Sequence, residues 1–135
     1  MIVAFDADVL IYAAAPGHSI GGQVAELFDQ PASGRTLLGS VLLMNEVLVK
    51  PMRQDPESPE VTRLLGFLAR IDLLPFDRPT AVMAVTLAVK YGLKPMGAAH
   101  LATAIVAGAD CFLTNNRNDF GTTITEIDVA YPADW

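Results

Sequence analysis

The sequence predicts an α/β fold with three layers, α/β/α, built around a mostly parallel central sheet. Short apolar runs alternate with longer helical patterns along the 135 residues, the rhythm of strand–helix–strand units and not of hairpins. The runs themselves, such as Ile2–Phe5 and Cys111–Thr114, are nearly continuous in apolar residues, as strands covered on both faces are. The chain is also 52% hydrophobic with a mean hydropathy of +0.38. That is enough to build one core in one domain, 1–135.

Each element follows from local chemistry. Ile2–Phe5 is a strand, and Asp8–Ala14 is a short helix broken by Pro16-Gly17. Ser19–Gln30 is a helix with Val24, Leu27 and Phe28 on one side, Pro31–Gly34 a turn, and Arg35–Gly39 a strand. Ser40 is placed to cap a helix over Val41–Val49, because its hydroxyl can accept from a first-turn N–H. Pro51 and the run QDPESP predict a loop. Ser58 caps the next helix, with Pro59 at its first position and Leu64, Leu65 and Leu68 inside. Ile71–Phe76 is a strand. Pro79 opens a helix carrying Val82, Val85 and Val89 that ends at Gly92, and Pro95 starts the helix Met96–Ala107. Cys111–Thr114 and Thr125–Val129 are the last strands.

Composition narrows the function. A net charge of −6 argues against a protein that coats nucleic acid, but not against one that binds a phosphodiester locally through a metal ion and a few basic residues. Lys50 with Arg53, and Lys90 with Lys94, are the close basic pairs, and solvated helix faces explain each of them alone. No run is long enough for a membrane span and no secretory signal is visible, so the expected location is the cytoplasm. Cys111, the single cysteine, reads as an inert core thiol. The apolar excess predicts a homodimer or a protein partner.

Two apolar strands end in polar residues, and the carboxyl edge of an open α/β sheet is where ligands bind. Asp6 closes the first strand. A carboxylate there is costly to desolvate unless a cation or hydrogen bonds compensate, although it could also serve only as a helix cap. Asp8 shares the edge or, in the favoured reading, is the cap itself. Glu46 lies in an apolar helix under two turns from Ser40, where it can face water or the strand edge; periodicity leaves both open. Thr114, Asn115 and Asn116 follow the later strand as turn residues, with Asp119 near enough to aim back at the same edge. Asp110 precedes that strand and is structural. His100, in a buried helix with no second His or Cys nearby, reads as a hydrogen-bonded core residue, and His18 as a loop residue.

Together these stretches resemble the PIN-domain family, and within it the VapC-like toxins of bacterial toxin–antitoxin modules. VAFDADVLIY looks like that family's first strand with Asp6 as its acid, and SVLLMNEVL like the helix bearing the second acid, Glu46. GAAHLATAIVAGADCFLTNNRNDF resembles the segment that usually reads Asp-Ala-x-His-Leu-Ala-Thr-Ala, Gly-Ala-Asp, strand, Thr-Asn-Asp. The resemblance implies a PIN-like fold and a metal-dependent endoribonuclease that cleaves RNA. Its clustered acids would hold Mg²⁺ or Mn²⁺, here Asp6, Glu46 and Asp119, and the metal would activate a water. It also implies a homodimer and a protein antitoxin. Ser40, Asp8, Gly97, Thr114, Asn115 and Asn116 are expected to line the site.

Two positions depart from the family pattern. Gly97 and Asn116 stand where acids are usual, and no other Asp or Glu occurs between Asp77 and Asp110 to replace the former. The alternative is therefore a catalytically impaired PIN fold that binds RNA or an antitoxin. A minor alternative is a haloacid-dehalogenase-type phosphatase, since Asp6-Ala7-Asp8 resembles that group's nucleophile and general acid.

Overall fold

The structure, a computed structural model, describes residues 1–29 and 34–135. The predicted helix end at Gln30 and most of the predicted turn at Pro31–Gly34 lie outside the described residues. Among the described residues the strands are β1 (Ile2–Phe5), β2 (Thr36–Ser40), β3 (Asp72–Leu74), β4 (Cys111–Leu113) and β5 (Asp128–Ala130). They form one sheet in the order β3-β2-β1-β4-β5, and every pairing is parallel. The helices are α1 (Ala7–Ala14), α2 (Gly21–Asp29), α3 (Leu42–Gln54), α4 (Pro59–Ala69), α5 (Arg78–Tyr91) and α6 (Pro95–Val106).

Alternation along the strands sorts the core into two layers. Val3 and Phe5 of β1 pack with α1 to α4, while Ala4 between them packs with α5 and α6. This is the expected three-layer arrangement. The chain leaves β1 toward β2 and β3 on one side and returns to β4 and β5 on the other. The reversal opens a crevice at the carboxyl ends of β1 and β4.

Several boundaries differ from the sequence expectation, each for a local reason. The first helix begins at Ala7 and its cap is Asp6, not Asp8; the Asp6 carboxylate accepts from the Ala7 N–H at 2.9 Å. Ser40 ends β2, yet its hydroxyl still accepts from the Leu42 N–H at 3.1 Å. The helix after it continues through Pro51 to Gln54, which shortens the predicted loop. Proline removes one hydrogen bond but has a helical φ of its own, so a buried Pro51 near the end of α3 does not stop it. β3 and β5 are shorter than predicted, and β5 starts three residues later, at Asp128.

Packing decides which helix faces are buried. Val82, Val85 and Val89 of α5 are 61%, 65% and 82% exposed, and the helix instead buries Thr80, Ala84 and Leu87. Both stripes have helical spacing, so periodicity could not choose between them. Leu65 of α4 is likewise exposed, while Val61, Leu64, Phe67 and Leu68 turn inward. Gly92 ends α5 at φ +66°, the left-handed conformation that glycine adopts without a Cβ penalty. No helix among the described residues is long and apolar enough to cross a membrane.

Candidate functional site

The crevice is built from the ends of two strands and the starts of three helices. The Asp6 N–H donates to the Leu113 carbonyl at 2.9 Å, which extends the β1–β4 ladder by one step. That step sets Asp6 beside Thr114, whose hydroxyl donates to the Asp6 carboxylate at 2.8 Å. Asp8, in the first turn of α1, accepts from the Asn115 N–H at 3.1 Å. Asn116 is fixed through its own N–H to the Thr114 hydroxyl, at 3.1 Å. Its side chain also makes two bonds with Asp119, donating to the carboxylate at 2.9 Å and accepting from the backbone N–H at 3.1 Å. Turn chemistry after β4 therefore holds both acids of the β1–α1 segment.

Asp6, Asp8, Glu46, Lys94, Met96, Gly97, Asn116, Asp119 and Phe120 line one cavity of about 220 Å³. Of the residues expected at the site, Asp6, Asp8, Glu46, Gly97, Asn116 and Asp119 thus meet in one place. Thr114 and Asn115 stand behind it as anchors, and Ser40 is wholly buried at the end of β2 and does not line it. Asp110 lies at the opposite end of β4, accepting from the Ile2 N–H at 2.6 Å, a structural role.

The acids disturb one another. Asp6 is 7% exposed, and burial raises its pKa while the Thr114 hydrogen bond opposes the shift. Asp8 is pushed up to about 7, first by burial and then by the Asp6 charge, with Glu46 adding to it. Glu46 comes from α3 and meets His100 of α6, with Oε2 and Nε2 2.5 Å apart. The His100 side chain is fully buried, and its Nδ1 has no hydrogen-bond partner among the described residues.

Lys94, Met96 and Phe120 were not anticipated as lining residues. Lys94 was visible only as half of a basic pair, and Phe120 is signalled by nothing except its place after Asp119. Phe120 crowds position 97: a Cβ at Gly97 would lie 3.0 Å from the Phe120 ring, which would have to give by a few tenths of an ångström. The ring, 2% exposed and packed edge-on to Phe112, occupies the space where a larger residue 97 would begin.

The donor set suits a hard divalent cation in kind, because carboxylate and amide oxygens dominate the polar lining. It is not closed around such an ion. Among the described residues no group of three or more His, Cys, Asp or Glu side chains converges closely enough to hold a metal. Each anchored carboxylate oxygen keeps a further lone pair, so Asp6, Asp8, Glu46 and Asp119 retain the capacity to ligate after side-chain movement.

The profile of the family described as PIN domain matches residues 3–123. No curated protein matches the sequence at a significant level. Among solved structures, the fold is similar to a toxin–antitoxin complex from Klebsiella pneumoniae, with 21% identity, TM-score 0.73 and 98% of each chain covered. It is also similar to VapBC2 from Rickettsia felis bound to a promoter DNA fragment, at 17% identity and TM-score 0.75, covering 97% of this chain and 98% of that one. FitAcB from Neisseria gonorrhoeae shares 20% identity at TM-score 0.65 over 100% of both chains.

Proposed function

We propose, because this chain belongs to the PIN domain family, that it is a VapC-like toxin ribonuclease with a reduced acidic site. The observation that carries the reading is the convergence of Asp6, Asp8, Glu46 and Asp119 on one cavity at the sheet's switch point. In this reading Asp6, Glu46 and Asp119 hold Mg²⁺ or Mn²⁺, and Asn116 offers a carbonyl oxygen. The bound ion would supply Lewis acidity and a water of lowered pKa. The chain's own contribution is orientation: Thr114 steadies Asp6, Asn115 steadies Asp8, and Asn116 with Asp119 closes the turn beneath the substrate.

The partners follow from the same reading. The target is RNA in the cytoplasm, and an antitoxin protein silences the toxin, in keeping with the toxin–antitoxin complexes among the structural neighbours. Val85 and Val89 of the exposed valine stripe line an apolar groove of about 430 Å³ between α5 and α6, which supports a homodimer or an antitoxin contact there.

A second reading, a PIN fold that binds without cleaving, is favoured by Gly97 and by the open ligand set. Family membership leaves the phosphatase alternative with only the Asp6–Asp8 spacing in its favour. RNA cleavage with Mn²⁺, compared between the wild type and Gly97→Asp, separates the first two. Cleavage by the wild type, lost in Asp6→Ala, is expected. Cleavage by Gly97→Asp alone would identify a decayed nuclease, and cleavage by neither would support the binding protein.

A further inference from the structure

Two lysines line depressions that meet at the acidic centre. Lys94, the residue before α6, lines the cavity that holds Asp6, Asp8 and Asp119. Lys50 of α3 lines a second cavity of about 260 Å³, with Ile11, Val47, Pro51, Gln54 and Glu60. Glu46 lines both cavities, so the two depressions adjoin at a single carboxylate. Lys50 lies one helical turn beyond Glu46 on α3, on the same face. Both lysines are exposed, and neither forms an ion pair with the chain's own carboxylates among the described residues.

The other basic residues of the two close pairs are placed differently. Lys90 is bonded to Glu126 at 3.1 Å, outside the track. Arg53 lies in the last turn of α3 and lines neither cavity. Solvation accounts for either lysine alone, but it gives no reason for two unpaired cations lining depressions that meet at one acidic centre on a chain of net charge −6. A polyanion offers one: it must cross the acids with its flanking charges held by something positive.

We infer that Lys50 and Lys94 hold backbone phosphates on either side of the phosphodiester presented to Asp6 and Glu46, so that single-stranded RNA crosses the site over Glu46. This rests on the ribonuclease reading and adds to it the direction of the strand across the surface. Lys50 and Lys94 are positioning residues in this arrangement, each a point charge on a flexible stem.

Salt dependence tests it without relying on turnover. The probe is a fluorescein-labelled single-stranded RNA of mixed sequence, followed by anisotropy with millimolar Ca²⁺ over a range of KCl, its integrity checked on a gel. Each phosphate contact contributes about 0.7 to the slope of log affinity against log salt for single strands, or about fivefold in affinity at roughly 0.1 M. Lys50→Gln and Lys94→Gln should each flatten the slope by about 0.7 and the double variant by about 1.4, with Lys90→Gln unchanged. Unchanged slopes in the two variants, or an equal loss in Lys90→Gln, would overturn the track while leaving RNA binding by the wild type intact. No binding by the wild type would remove the ribonuclease reading and the track together.

Discussion

Asp8 is a carboxyl group whose ionisation opposes folding, and replacing it should therefore stabilise the protein at neutral pH. Its pKa is pushed up to about 7 by burial and by Asp6, whereas an unfolded aspartate titrates near 3.9. Between those values the native state holds a proton that the unfolded chain has released. Stability from this group therefore falls as pH rises from about 4 to about 7, and the loss is complete above that. The full gap corresponds to about 4 kcal/mol. Asp8 is only partly buried, and screening by solvent reduces this to about 2 kcal/mol. Asp8→Asn keeps an oxygen for the Asn115 N–H and removes the charge. For 135 residues the unfolding entropy is about 0.28 kcal/mol/K, so the variant should melt about 7 °C above the wild type at pH 8. At pH 5 the two should differ far less. Calorimetric melts across pH 5 to 8, in metal-free buffer, measure the difference. Parallel curves for variant and wild type would refute the account of Asp8, as would a less stable variant at pH 8.

Other substitutions probe the remaining contacts. Glu46→Ala strands the buried His100 Nε2 without its partner and should cost about 1–3 kcal/mol by urea unfolding, while Glu46→Gln, which keeps an acceptor, should cost less. Thr114→Val removes the hydroxyl that stabilises the Asp6 carboxylate, so the Asp6 titration should move upward, as read by carboxyl carbon NMR shifts. Gly97→Asp presses on Phe120 and adds a charge to an acidic pocket, so it should destabilise the metal-free protein by about 1–3 kcal/mol. The same variant should bind Mn²⁺ more tightly in calorimetry, since it adds a hard oxygen ligand.

Much of the fold was legible from local chemistry, because caps, turns and apolar runs are short-range signals. Ser58 before Pro59, Gly92 after α5 and the continuous run of β1 all act where they stand in the chain. The candidate acids were legible for a related reason: Asp6 and Asn116 follow strands, and strand ends gather at one edge of a parallel sheet. Which acids actually share a cavity was decided only in three dimensions. Glu46 lines the same cavity as Asp6, and its carboxylate is held there by His100 of α6, a contact between residues 54 positions apart. The valine stripe of α5 and the alanine–leucine stripe beside it are equally periodic, and only packing against α6 and the sheet selects the one that is buried. The cap at Asp6, the phenylalanine over Gly97 and the lysines beside Glu46 are likewise facts of proximity. Sequence determines what each residue can donate, accept or bury; the sheet order determines which of those capacities come within reach of one another.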